Sequence, residues 1–124
     1  MLLDLKFPSL CLALSLSVAW AGEADVVDAE AKCEDGACRF SVSVHHADTG
    51  WDHYADHWRV LTPDGGELGR RVLLHPHVDE QPFTRALEAV LIPEGLGRVI
   101  IESHDSVHGY GGMPLELELP SIPR

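Results

Sequence analysis

From Phe40 to His45 the chain alternates apolar and polar residues at every step, with Phe40, Val42 and Val44 on one parity and Ser41, Ser43 and His45 on the other. Period two is the repeat of an extended strand, whose successive side chains point to opposite faces. The segment therefore reads as a half-buried strand with one wet face. Leu115, Leu117 and Leu119 alternate with Glu116 and Glu118 in the same way. Further strands are expected near Asp25–Cys33, Trp58–Thr62, Leu68–Leu74, Thr84–Leu91 and Arg98–Ser103. Val99-Ile100-Ile101 is apolar on both parities, as a central strand requires. Pro63-Asp64-Gly65-Gly66 and Pro93-Glu94-Gly95 carry turn chemistry. No stretch shows sustained helical periodicity, so the chain reads as all-β and antiparallel.

Seven strands in about a hundred residues is the size of an immunoglobulin-like β-sandwich. The residues before Gly22 are expected to stand outside it. Phe7 to Trp20 is an apolar run after a short polar start, and it ends in Ala19-Trp20-Ala21, the small-x-small pattern of a signal-peptidase site. The run is short for a bilayer span. Residues 1–21 thus read as a cleaved signal peptide and residues 22–124 as one domain, periplasmic or secreted, with no membrane span after cleavage. Cys11 falls in the leader, without the small residues that precede a lipidated cysteine. The other two cysteines, Cys33 and Cys38, flank Glu34-Asp35-Gly36-Ala37. Export favours a disulfide over a metal-binding pair, and the spacing suits a bridge across a tight hairpin with Asp35-Gly36 at the turn.

Histidine is the unusual residue, at eight in 124. His53 and His57, and likewise His104 and His108, stand four apart, a spacing that shares a face in helix or strand. His75-Pro76-His77 places two imidazoles on one side of an extended segment. His45 and His46 must face opposite ways, so at most one of them joins a cluster. Neutral imidazole suits Zn, Cu, Ni and Fe. With Cys33 and Cys38 bridged no thiolate is left, which excludes a blue-copper centre and favours Cu or Zn ahead of Fe. The preferred metal ligands are His53, His57, His75, His77 and His108, with His46 and His104 in reserve. Asp48, Asp52, Asp56 and Asp105 lie close in sequence and could orient imidazoles by accepting the second ring N–H. The bland alternative is that each histidine is a polar loop residue needing no metal.

Charge removes other classes of function. Twenty acidic side chains against nine Lys plus Arg give a formal charge of −11, opposite to what a phosphate backbone or an anionic membrane surface attracts. No Gly-x-Ser-x-Gly, phosphate loop or His-Glu-x-x-His is present. Trp51, Trp58 and Phe83 are the large groups for core or loop anchoring, with Trp58 and Val60 on an inward strand face. The Gly109-Tyr110-Gly111-Gly112 loop is permissive enough to let backbone approach a ligand or a neighbouring loop.

The segments His45–Asp56, His75–Arg85 and His104–Gly112 resemble a family of small exported bacterial His-rich proteins without an assigned activity. The layout over roughly residues 42–119 is also similar to two immunoglobulin-like groups. One is the iron domain of superoxide reductases (desulfoferrodoxins), through His45 or His46, then His53 and His57 before Trp58, then Asp105-Ser106-Val107-His108-Gly109. In that family a cysteine stands where Asp105 stands here, and the iron needs its thiolate, so the resemblance does not carry the activity over. The other is the Z subunit of the sulfur-oxidation carrier, through His46, Thr49-Gly50, His57, Gln81-Pro82-Phe83 and Asp105. It implies a scaffold whose Gln81-Pro82-Phe83 loop meets a partner. The expectation is an exported, non-catalytic metal-binding domain. A metal-free scaffold for a periplasmic partner and a superoxide-reductase-like redox enzyme are the alternatives.

Overall fold

The computed structural model describes residues 22–122, and the expected signal peptide at residues 1–21 lies outside them. Among the described residues every regular element is a strand: β1 (Asp25–Glu34), β2 (Ala37–His45), β3 (Ala55–Leu61), β4 (Glu67–Val72), β5 (Phe83–Leu91), β6 (Arg98–Asp105) and β7 (Leu115–Glu118). They form two antiparallel sheets, ordered β1-β2-β5 and β4-β3-β6-β7. Placing β2 beside β5 and β3 beside β6 in opposite sheets gives the expected immunoglobulin-like sandwich. No helix among these residues is long and apolar enough to cross a membrane. Cys33 and Cys38 are disulfide-bonded and face each other in register across β1 and β2. The turn between them is Asp35-Gly36, both with positive φ, as a two-residue hairpin demands.

The core follows the strand parity. On β2, Cys38, Phe40, Val42 and Val44 are buried in alternation; on β6, Val99, Ile101, Ser103 and Asp105. Trp58 and Val60 of β3 close the layer between the sheets. Two strands run further than their apolar pattern implied. β3 begins at Ala55 and not near Trp58, and β6 continues to Asp105, past Ser103. Both extensions are polar, paired across the sheet with His57 opposite His104. The inward parity also outlasts the apolar residues. His46, one step past β2, is 1% exposed and Asp105 is fully buried, so the hydrophobic core ends in an imidazole and a carboxylate.

Candidate metal centre

The buried end of the sandwich gathers His46, His53 and Asp105 with ligating atoms close enough to share one ion. The Nε2 atoms of His46 and His53 are 3.2 Å apart. Asp105 stands 3.2 Å from His53 Nε2 through Oδ1 and 3.9 Å from His46 Nε2 through Oδ2. His108, on the turn after β6, lies at the rim with its Nδ1 3.4 Å from Asp105 Oδ1 and its ring 5.0 Å from that of His53. His53 is brought in by a bridge with Gly50, where His53 N–H donates to the Gly50 carbonyl. His108 is held by Asp105 itself, whose Oδ1 accepts the N–H groups of Val107 and His108 at 2.8 and 2.7 Å.

Proton counting shows what this corner lacks. Asp48 is 5% exposed, and its Oδ1 lies 2.5 Å from His46 Nδ1. A carboxylate only accepts, so His46 Nδ1 carries a proton and the ring turns its Nε2 to the cluster. That Nε2 faces the Gly22 carbonyl oxygen at 3.2 Å, an acceptor that is also 3.2 Å from His53 Nε2. Asp105 Oδ2 is buried and has no hydrogen-bond partner. Burial raises the pKa of Asp105, but the His108 and Val107 amides, and then His46 and His108, outweigh it and hold the carboxyl below its usual range. The Gly22 carbonyl oxygen and both oxygens of Asp105 thus converge on these imidazoles, more acceptor atoms than the contacts among them satisfy. A cation would answer that deficit, and a carboxylate-fixed His46 tautomer is the outer-shell arrangement that metal sites use.

A second cluster lies on the outward face of β3 and β6, where Asp56, His57 and His104 also come within sharing distance of one ion. Asp56 Oδ1 accepts from Nδ1 of His57 at 3.0 Å and of His104 at 2.6 Å, and the two rings stack at 4.4 Å. His57 Nε2 meets the Tyr110 hydroxyl at 2.5 Å, while the Arg59 guanidinium covers the Tyr110 ring at 3.9 Å. Burial, and then the neighbouring His104, push the His57 pKa down. Burial pushes the Tyr110 hydroxyl up. These contacts satisfy one another, so this cluster shows no comparable deficit.

The histidines expected to converge are therefore divided among three places. His53 and His108 meet with the reserve His46. His57 joins the reserve His104. His75 and His77 stand apart, with rings 4.6 Å from each other. The fourfold spacings fail to hold His53 with His57, or His104 with His108, for one reason each. A register shift between Ala55 and His57 turns Asp56 and His57 outward together, and the turn at Asp105–Gly109 carries His108 back over the buried end. His77 stacks on Phe83 at 3.9 Å, and its Nε2 accepts from Arg85 at 2.9 Å. Burial, and then Arg85, lower its pKa.

The aspartates divide too. Asp48 and Asp56 orient imidazoles as expected, whereas Asp105 points its free oxygen at the ligating atoms. In Gln81-Pro82-Phe83 the two flanking side chains are turned inward and Pro82 is exposed between them. Gln81 Oε1 accepts the His46 N–H, Gln81 Nε2 donates to the His77 carbonyl, and Phe83 is 1% exposed. Trp51 is exposed and packs only edge-on to Tyr54. The two cysteines among the described residues, Cys33 and Cys38, are bonded to each other at the far end of β2, so neither offers a thiolate to the cluster. Sequence reasoning missed the Gly22 carbonyl, which no local pattern announces. It could have found His46 by extending the Phe40, Val42, Val44 parity one step.

Comparison with known proteins adds a relative. A protein of Halomicrobium mukohataei named "Putative lipoprotein" is 46% identical to this chain over 100 residues, or 80% of the chain. The chain spans about half (49%) of that curated relative's length. No protein-family model and no solved structure matches the chain, and the resemblance to superoxide reductases finds no support here.

Proposed function

We propose that this chain is an exported domain that binds one transition metal ion, Cu or Zn, through His46, His53, His108 and Asp105, and handles it without catalysis. The observation that carries the reading is the buried Oδ2 of Asp105, without a hydrogen-bond partner and 3.9 Å from His46 Nε2. A buried anionic oxygen without a partner is costly, and a coordinated cation removes the cost. Three imidazoles and one carboxylate suit Zn in a tetrahedral set, or Cu(II) in a tetragonal one. Export is supported by the expected leader, by the disulfide, and by the lipoprotein name of the relative, which points to the cell envelope.

The test is elemental mass spectrometry of the exported, untagged protein, with Cu and Zn titrations. One equivalent of metal is expected, lost in His46→Ala and in Asp105→Asn and retained in the double variant His75→Ala/His77→Ala. Asp105→Asn keeps a carbonyl oxygen for the Val107 and His108 amides, so circular dichroism should report an intact fold. Full metal content in both His46→Ala and Asp105→Asn would overturn the reading.

A further inference from the structure

We propose that Gly22 is itself a ligand. Once the leader is removed after Ala21, the freed α-amino nitrogen and the carbonyl oxygen of Gly22 chelate the ion held by His46, His53 and Asp105. This rests on the metal reading above and on processing at Ala19-Trp20-Ala21.

The Gly22 carbonyl oxygen already stands 3.2 Å from both His46 Nε2 and His53 Nε2. Asp48 holds the opposite side of the His46 ring, at Nδ1, so Nε2 is the nitrogen turned to the carbonyl. A carbonyl oxygen and two imidazole nitrogens so placed can share one cation. An α-amine and its own carbonyl oxygen close a five-membered ring on a metal, so a carbonyl aimed at the ion also brings its amine within reach.

The residue type fits the role. A Cβ at Gly22 would come within 3.2 Å of His108 Cε1, and glycine lets the backbone approach the cluster closely. The segment is held in place by the glycine-rich loop. Val26 N–H donates to the Met113 carbonyl at 2.9 Å, and Met113 N–H donates to Asp25 Oδ1 at 2.7 Å. Gly112 packs directly on the Ala24 carbonyl, and Ala24 is 1% exposed. Gly22 is thus delivered to the site by a clamped strand entry.

Two consequences follow. An amine added to the imidazole nitrogens shifts the donor set toward the tetragonal N,O preference of Cu(II). In the unprocessed chain the same nitrogen is a peptide amide, a poor donor, so full affinity waits for export and cleavage.

The experiment compares the exported protein with a form carrying one serine inserted between Ala21 and Gly22, which moves the free amine one residue away. Both are checked by intact mass and circular dichroism, then titrated with Cu(II) against a competing chelator and recorded by electron paramagnetic resonance. Wild-type protein should begin at Gly22. The insertion should weaken Cu(II) binding about tenfold or more, at least what losing a supporting partner costs, and should remove one nitrogen coupling from the spectrum. Equal affinity with identical spectra, or a mature chain that does not begin at Gly22, would overturn the chelate and leave the histidine site standing. His46→Ala binding Cu(II) as tightly as wild type would sink both.

Discussion

At the scale of the residue, Asp48 does more than its place in a polar loop suggests. Its Oδ1 receives the His46 Nδ1–H at 2.5 Å and the Ala55 N–H at 3.0 Å, and its Oδ2 receives the His77 N–H at 2.7 Å. One buried carboxylate thereby joins the end of β2, the start of β3 and the His75–His77 segment, and sets which nitrogen of His46 is free. Asp48→Asn would put an amide donor against one of those three donors. We expect a stability loss of about 1–3 kcal/mol from the orphaned group, read by chemical denaturation. Metal affinity should fall roughly 10–100-fold, as for other outer-shell partners, read by competition titration. Wild-type affinity in this variant would show that the His46 tautomer does not govern binding. The sequence could show that aspartates lie near histidines. It could not show which aspartate supports an imidazole and which joins the buried cluster, because that depends on side-chain direction across the sandwich.

At the scale of the element, the local rules place strands well and shared faces poorly. The Phe40–Val44 parity predicts the inward face of β2, because burial selects the parity, and the two-faced apolar run Val99-Ile100-Ile101 predicts the interior place of β6 in its sheet. The fourfold histidine spacings assume uninterrupted strands, and the bulge beside Asp56 breaks that assumption. The Gly109-Tyr110-Gly111-Gly112 loop is permissive of a close backbone approach, and Gly112 makes one against Ala24 at the strand entry. A Cβ at Gly112 would fall on the Ala24 carbonyl, where backbone has little room to yield. Gly112→Ala should cost about 1–3 kcal/mol through overpacking. On the chelate proposed for Gly22 it should also weaken metal binding, by loosening the entry. A thermal melt at wild-type temperature would argue that the clamp is unimportant.

At the scale of the whole molecule, acidity and histidine content meet in the pH dependence of stability. His57 is held below its ordinary pKa, chiefly by burial and then by His104. His77 is also held low, by burial and then by Arg85. The unfolded chain takes up these protons near pH 6.5, before the folded chain does. Below that pH the unfolded state binds more protons, so folding stability falls as pH falls. For Asp105, whose pKa is lowered, the loss comes only at acid pH, below about 3.9. In the metal-free protein the urea midpoint should therefore decline between about pH 7 and pH 5.5, and His57→Gln should flatten part of that slope. A midpoint independent of pH over this range would contradict the burial of both imidazoles in neutral form.

Period-two alternation determined an all-β sandwich, and the Asp35-Gly36 turn, the spacing of the two cysteines and the expected leader together pointed to a staple at one hairpin. Each is a local rule acting over a few residues, so the linear chain carries it. Composition likewise limits the groups that could hold a metal to imidazole and carboxylate, with Cys33 and Cys38 in a disulfide. Which imidazoles meet was decided only in three dimensions. The two sheets must first pack Phe40, Val42 and Val44 against Trp58, Val60 and Ile101 before the polar ends of β2 and β6 face each other across the core. That packing brings together Gly22, the His46–His53 segment and Asp105, three separate parts of the chain that share no periodicity. It separates pairs such as His53 and His57 that sequence spacing would have joined.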